Sequence, residues 1–506
     1  MSSGKQVKIG AILSYLSIAL NIVAGLIYTP WMINQIGKNQ YGLYTLANSL
    51  ITLFLIDFGL SSATSRYISK YRAEGKDEEI ERFLGAIYKL YLIIDAIIFT
   101  VLFVLFFFLE NIYVKLTPQE MEQFKVVYII AGLFSVVNFP FVTFNGILTS
   151  YEQFIPLKLA DVIYRVLLVG LTVAALLLGQ GLYALVAVHA IVGLLVVLYK
   201  FIVIKKTVPV KVRFQKTDKS LYKEIFDFSV WVTVASLAQR LVFNITPSVL
   251  GVTASAGAIA VFGVVTTIEG YAYTVTTAIN GMFLPKISRI YANTDGENDI
   301  TPLLLKVGKF QFALNGLIVA GFAVLGATFI HLWMGVGYEE AYLGILLVLI
   351  PGLFYNSLQI ANTAMVVQNK VRLQAFVNVG MGLINIVLSV VLSLFFGVIG
   401  SCISIFVAYM VRAIALCIIY DKNMHLNIPL FVKDVFMRMS LPLIFTIALG
   451  LLFNYVFPQV SWLWFIVKAF AIVSIYGVFM FLLGLKKEEK KKCMDIIKLR
   501  LRRKKL

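Results

Sequence analysis

The feature that most constrains this chain is a succession of apolar runs, most of them about 20 residues or longer, the length a helix needs to cross the hydrocarbon of a bilayer. Ile9 to Gly37 has no charged side chain, and Tyr41 to Ser65, Leu90 to Leu109 and Val126 to Leu148 have only Asp57 and Asp95. Val166 to Tyr199 is too long for one crossing, and Gly179-Gln180-Gly181 divides it in two. Beyond the basic stretch Lys200 to Lys223 come Phe228 to Leu250, Ala254 to Leu284, Phe310 to Met334, Tyr342 to Val367, Ala375 to Phe396 and Gly400 to Tyr420, then a last pair, Ser440 to Phe457 and Trp462 to Leu485. Only 14% of the 506 residues are charged, against about 25% in a soluble protein. The expected fold is therefore an all-α polytopic membrane protein of fourteen transmembrane helices, with no room for a large soluble catalytic domain. The first run is too long for a signal-peptide core and is expected to be retained.

Charge placement predicts the orientation. Of the 44 Lys and Arg, 38 fall on alternate connections and the termini, and only Lys38, Lys115 and Lys125 on the opposite set. By the positive-inside rule both termini face the cytosol. The net charge of +18 is thus a topology signal and no nucleic-acid partner is expected; the 486–506 tail reads as a basic cytosolic anchor facing membrane lipids. Ser65-Arg66 closes the second run and Ser288-Arg289 the eighth, while Gly397 to Gly400 repeats the glycine break at Gly179. This internal repeat predicts two pseudo-symmetric six-helix lobes, 1–204 and 205–420, plus two extra C-terminal helices in 421–485.

No GxxxxGK[ST] phosphate loop occurs, so no ATP site is expected, and Cys402, Cys417 and Cys493 lack metal-ligand spacing. His189, His331 and His425 stay unassigned. With no external loop large enough for a catalytic centre, the chain is expected not to be an enzyme and to carry neither a cofactor nor a metal, with H⁺ or Na⁺ coupling as its energy source. Ionisable groups inside spanning helices cost about 2.5–3.5 kcal/mol or more, so they mark cavities and pathways. Arg240 and Glu269 stand near the middles of helices seven and eight, where they either pair with one another or serve transport. Asp57 lies in the cytosolic third of helix two with Arg66 beyond it, and Arg412 lies past the middle of helix twelve. Asp161 reads as a helix-start acid able to pair with Arg165 at i,i+4, and Lys468 as able to snorkel. Tyr271, Tyr273, Thr274, Thr276, Thr277 and Asn280 place hydrogen-bonding groups just past Glu269.

Ile56-Asp57-Phe58-Gly59-Leu60 with Ser65-Arg66-Tyr67-Ile68, Asn145-Gly146-Ile147-Leu148 with Tyr151-Glu152, Leu284-Pro285-Lys286-Ile287-Ser288, and Gln368-Asn369-Lys370 with Gly397 to Gly400 occur in an order that spans nearly the whole chain. Together they resemble the polysaccharide flippases of the multidrug/oligosaccharidyl-lipid/polysaccharide exporter superfamily. The resemblance implies a V-shaped pair of six-helix lobes. Their implied work is to flip an undecaprenyl-diphosphate-linked oligosaccharide across a bacterial plasma membrane by alternating access. It also implies a lipid-tail groove at helices thirteen and fourteen, and a polysaccharide polymerase and glycosyltransferases as partners. Arg240 would then meet the diphosphate, its planar fork matching phosphate oxygens. Competing expectations are a cation-coupled multidrug exporter or a lipid II flippase of the same superfamily, and a scaffold subunit without transport.

The topology is directly testable. Cysteines introduced at Gln119 and Ser461 are expected to react with an impermeant maleimide on intact cells, and Cys493 only after lysis; strong external labelling of Cys493 overturns the orientation.

Overall fold

Inside hydrocarbon every backbone N–H and C=O needs a partner within the chain, which leaves the helix as the regular structure for a sequence of this kind. The computed structural model describes residues 3–54, 57–209, 211–214, 219–277, 283–293, 300–368, 370–491 and 495. Among them every regular element is helical, and eleven helices are long and apolar enough to cross a membrane. Ile56, 278–282 with Asn280, Asn369, Cys493 and most of the basic tail lie outside the described residues, as do the side chains of Leu284, Pro285 and Arg289.

Several expected crossings are interrupted, each for a local reason. The run Tyr41 to Ser65 is not one helix: Lys38–Phe54 and Leu60–Ala73 flank a break where Phe58 and Gly59 take left-handed backbone, φ 50° and 66°. In the seventh run Lys219–Phe243 ends before Pro247, whose ring favours the first turn of the new helix Thr246–Thr253. Pro118–Asn138 passes through a tight Phe139–Val142 turn before Thr143–Ser150, and Glu340–Tyr355 through Asn356–Leu358 before Gln359–Val367.

The continuous helical stretch Val371–Met424 has non-helical backbone at Gly397, φ 53° and ψ −127°. Across it Ser389 donates to Ser401 Oγ at 3.2 Å and Ser404 to Asn385 Oδ1 at 3.0 Å. Residues 12 apart lie about 18 Å apart along a straight helix, so these bonds require the chain to double back at Gly397.

The chain packs as two units. The first is Met1–Thr266 with Val371–Ala408, the second Thr267–Lys370 with Tyr409–Leu506. In the first, Ser3–Ile36 and Leu182–Thr207 lie against Phe154–Leu177, and Lys38–Phe54 against Pro118–Asn138. Gly42 lets two backbones touch: a Cβ there would sit 1.9 Å from the Ala256 carbonyl oxygen, and one on Gly263 would sit 2.9 Å from Thr45 Oγ1. Close approach through small residues is how membrane helices gain dispersion contact.

In the second unit Ile300–Met334 is the hub, packed against Glu340–Tyr355, Arg438–Val456 and Trp462–Phe479, with Val324, Leu325 and Ile472 at its core. Lys468 does not snorkel. It is 1% exposed and donates to Asn454 Oδ1 at 2.7 Å and the Gln459 carbonyl at 3.2 Å, because the Phe457–Ser461 turn brings those acceptors to it. Past the last crossing, Glu489 accepts from Lys309 Nζ and the Lys486 N–H, both at 2.7 Å, while Lys486 Nζ pairs with Asp434.

Two outcomes follow from this packing. Gly42→Ala places a methyl against backbone and is expected to cost about 1–3 kcal/mol, read as a lowered melting temperature of the purified protein. Gly170→Ala, with nothing within 4 Å of the added Cβ, serves as its control; equal melting of the two variants overturns the close approach. At Glu489 burial acts to raise the carboxyl, but hydrogen bonds from Lys309 and the Lys486 N–H, with the charge of both lysines, outweigh it and hold it below its usual range. A depressed carboxyl stabilises the folded state above its unfolded value and loses that contribution as pH falls through the folded one. Protection of the 486–491 amides, measured as exchange relative to the intrinsic rate at each pH, is therefore expected to fall as pH drops below about 4.5 in the wild type, and to start low and respond less in Glu489→Gln.

Candidate functional site

The helix break at Asp57 builds the first cluster, within the first unit. Asp57 lies not inside a helix but at the start of Leu60–Ala73, where its Oδ2 accepts the Ser61 N–H at 3.2 Å and its Oδ1 accepts from the Tyr91 hydroxyl. An acid at that position meets the unsatisfied amides and positive end of the following helix. Arg240 sits not at mid-helix but in the last turn of Lys219–Phe243, and its Nη1 donates to the Thr52 carbonyl at 2.9 Å. Thr52 itself belongs to the last turn of Lys38–Phe54, so the guanidinium serves two helix C-termini at once. Asp57 and Arg240 also lie within electrostatic reach of one another. Two expected site residues are thus brought together, by the two interruptions that the sequence hides inside apolar runs. Arg66 is exposed, two turns along Leu60–Ala73.

The second cluster belongs wholly to the second unit. Glu269, on the Ala256–Thr277 helix, is hydrogen-bonded by the Tyr355 side chain, and Tyr273, Tyr409 and Arg412 lie within electrostatic reach of Tyr355. The Tyr355 and Tyr409 rings stand 4.9 Å apart, and the Arg412 guanidinium lies 5.7 Å and 5.8 Å from their centroids. Those distances are cation–π contacts, the means by which a 5%-exposed arginine is held among aromatic groups. Nearby, Asn356 donates to Asn315 Oδ1 at 3.2 Å and Thr276 Oγ1 at 3.4 Å, where the Glu340–Tyr355 helix gives way to its tight turn. A carboxylate among phenols, with a guanidinium beyond them, can exchange a proton or hold a small cation.

In each unit, therefore, a membrane carboxylate has a tyrosine donor of its own. Tyr91 and Tyr409 are absent from the sequence expectation. Tyr409 had a signal, since it precedes Arg412 by three residues on one helix face; Tyr91 had none within the run Leu90 to Leu109. Among the described residues no group of three or more His, Cys, Asp and Glu could hold a metal ion.

The fold is similar to that of the lipid II flippase MurJ in an inward closed conformation, with a TM-score of 0.74, 15% identity, and 94% of this chain and 98% of that one covered. It is also similar to an inward-facing multidrug resistance MATE family transporter of the MOP superfamily, at 0.67, 14%, 86% and 99%. A further likeness, to a MOP superfamily transporter from Pyrococcus furiosus, stands at 0.58, 15%, 84% and 96%. No curated protein matches the chain. The sequence model of the polysaccharide biosynthesis protein family matches residues 7–291. That match takes in more than half of the chain, including the Asp57, Arg240 and Glu269 positions, and with the fold it identifies a multi-pass membrane protein that belongs to the polysaccharide biosynthesis protein family.

Proposed function

We propose that this protein is a flippase, not an enzyme, that moves an undecaprenyl-diphosphate-linked oligosaccharide from the cytosolic to the outer leaflet of a bacterial plasma membrane by alternating access. The match to the polysaccharide biosynthesis family carries the reading, and the likeness to a lipid II flippase supports a lipid-linked substrate. Fourteen crossings complete the proposed architecture: lobes at 1–204 and 205–420, the extra pair in 421–485, and both termini in the cytosol. Polymerase and glycosyltransferases are the proposed functional neighbours.

In this scheme the diphosphate competes with Asp57 for Arg240. Arrival of the anion at the guanidinium relieves Asp57 of its counter-charge, and the carboxylate then takes up H⁺ or Na⁺. Substrate and cation are linked through one shared arginine, which yields a coupling free energy without a long pathway. Glu269 with Tyr355 and Tyr273 forms a second cation-exchanging group in the other unit, and Arg66 and Arg412 assist the anionic headgroup from their own helices. The likeness to a MATE family transporter supports a second reading, a cation-coupled multidrug exporter.

Proteoliposomes holding a fluorescent undecaprenyl-diphosphate oligosaccharide and an imposed H⁺ or Na⁺ gradient separate the two. Flipping is expected in wild type, at partial rate in Arg240→Lys and at least tenfold slower in Arg240→Ala at matched protein level, with gradient dependence lost in Asp57→Asn. Transport of a cationic dye with no flipping of the lipid-linked sugar favours the exporter and overturns the main reading.

A further inference from the structure

The first unit contains a cavity of about 510 Å³ that neither carboxylate cluster uses. It is bounded by the helices Ser3–Ile36, Pro118–Asn138, Thr143–Ser150, Phe154–Leu177 and Leu182–Thr207, which contribute Asn21, Asn138, Asn145, Asp161 with Arg165, and Lys200 in that order. The sequence expectation paired Arg165 with Asp161. The structure gives Asp161 to Lys158 instead, Nζ to Oδ2 at 3.3 Å, at the rim of the same cavity. Arg165 turns inward, where its Nη2 donates to the Asn21 carbonyl at 3.1 Å, and Lys200 Nζ donates to Asn145 Oδ1 at 2.9 Å. The two cations are hydrogen-bonded to neutral oxygens, with the single carboxylate Asp161 within longer electrostatic reach of Lys200.

Arg165 Nε is the second observation. It is buried and has no hydrogen-bond partner. A buried charged donor left unmade costs more than a neutral one, and positive charge in the membrane calls for a counter-charge. Guanidinium groups take phosphate through a two-pronged edge, and Lys200 supplies a point charge on the same cavity wall. The three amides add neutral donors and acceptors of the type that hydroxyl groups satisfy, and the volume lies in the range of sites for small molecules, larger than bare phosphate requires.

We propose that this cavity binds a phosphate that carries a hydroxylated group, gripped by Arg165 and Lys200 with Asn21, Asn138 and Asn145 on the hydroxyls. Such a phosphate has two sources in a membrane: the sugar phosphate of a lipid-linked saccharide, or the headgroup of a glycerol phospholipid. The site goes beyond the transport reading and does not depend on it, because binding is measured without flipping.

The test is calorimetric titration of the full-length protein in phosphatidylcholine nanodiscs with N-acetylglucosamine 1-phosphate, and with N-acetylglucosamine as the uncharged control. Saturable binding of the phosphate alone is expected, weakened at least tenfold in Arg165→Gln, less in Arg165→Lys and Lys200→Gln. Should Arg165→Gln fail to fold, Asn138→Leu keeps both charges and is expected to weaken the sugar phosphate but not inorganic phosphate. Repeating the titration with phosphatidylglycerol in the nanodisc assigns the source: lost apparent affinity marks the phospholipid headgroup, unchanged affinity the sugar phosphate, and either supports the site. No saturable binding in wild type together with no stabilisation by phosphatidylglycerol overturns the proposal, as does equal affinity in wild type, Arg165→Gln and Lys200→Gln.

Discussion

A backbone carbonyl stranded in hydrocarbon costs several kcal/mol, so a membrane helix can be interrupted only where something supplies the missing partner. In this protein one pair of interruptions coincides with two functional candidates, Asp57 and Arg240, for that reason. Asp57 accepts the Ser61 N–H at one break, and Arg240 supplies the Thr52 carbonyl beside it. Asn356 stands at another, but its amide reaches the side chains of Asn315 and Thr276 rather than backbone. At the first break the charged side chains are first of all repairs to the backbone, and the same repairs gather polar groups beside one another.

The two carboxylates show how different such settings are. Asp57 is tied to a helix start, where the Ser61 N–H and the Tyr91 hydroxyl donate to it and the Arg240 guanidinium lies within electrostatic reach. Glu269 projects from an unbroken helix, and its neighbours are aromatic hydroxyls, with the guanidinium of Arg412 stacked behind them. One is anchored to backbone as well as to a tyrosine and the other to a tyrosine side chain, which makes the second the more adjustable when rings change rotamer.

The all-helical membrane class was legible because long apolar runs have one stable outcome in a bilayer, and the turns at Gly179 and Gly397 were legible because glycine tolerates the φ they need. The breaks at Phe58–Gly59 and before Pro247 were harder to see, since hydropathy averages over them and reports one run. Their cost was the placement of Asp57, expected inside the cytosolic third of a helix, and of Arg240, expected at mid-helix. Arg165 misled in the opposite direction: its i,i+4 spacing from Asp161 offered a sufficient local partner, while the competitor, Lys158, sits three residues before Asp161 on the same turn. Which of two cations an acid chooses depends on which way the helix faces, and spacing alone carries no such information. The buried Lys468 was illegible for the same reason, as its acceptors come from the turn ahead of its own helix and the end of the helix before that.

The reversal at Gly397 has a mechanical side. One non-helical residue joins the two helices there, and serine and asparagine rungs cross-link them at Ser389–Ser401 and Asn385–Ser404. Such a pair has almost no slack: sliding one arm by a single residue, about 1.5 Å, would part both rungs. Near the turn the two arms are thus held in one register, and both rungs oppose any axial shift of one arm past the other.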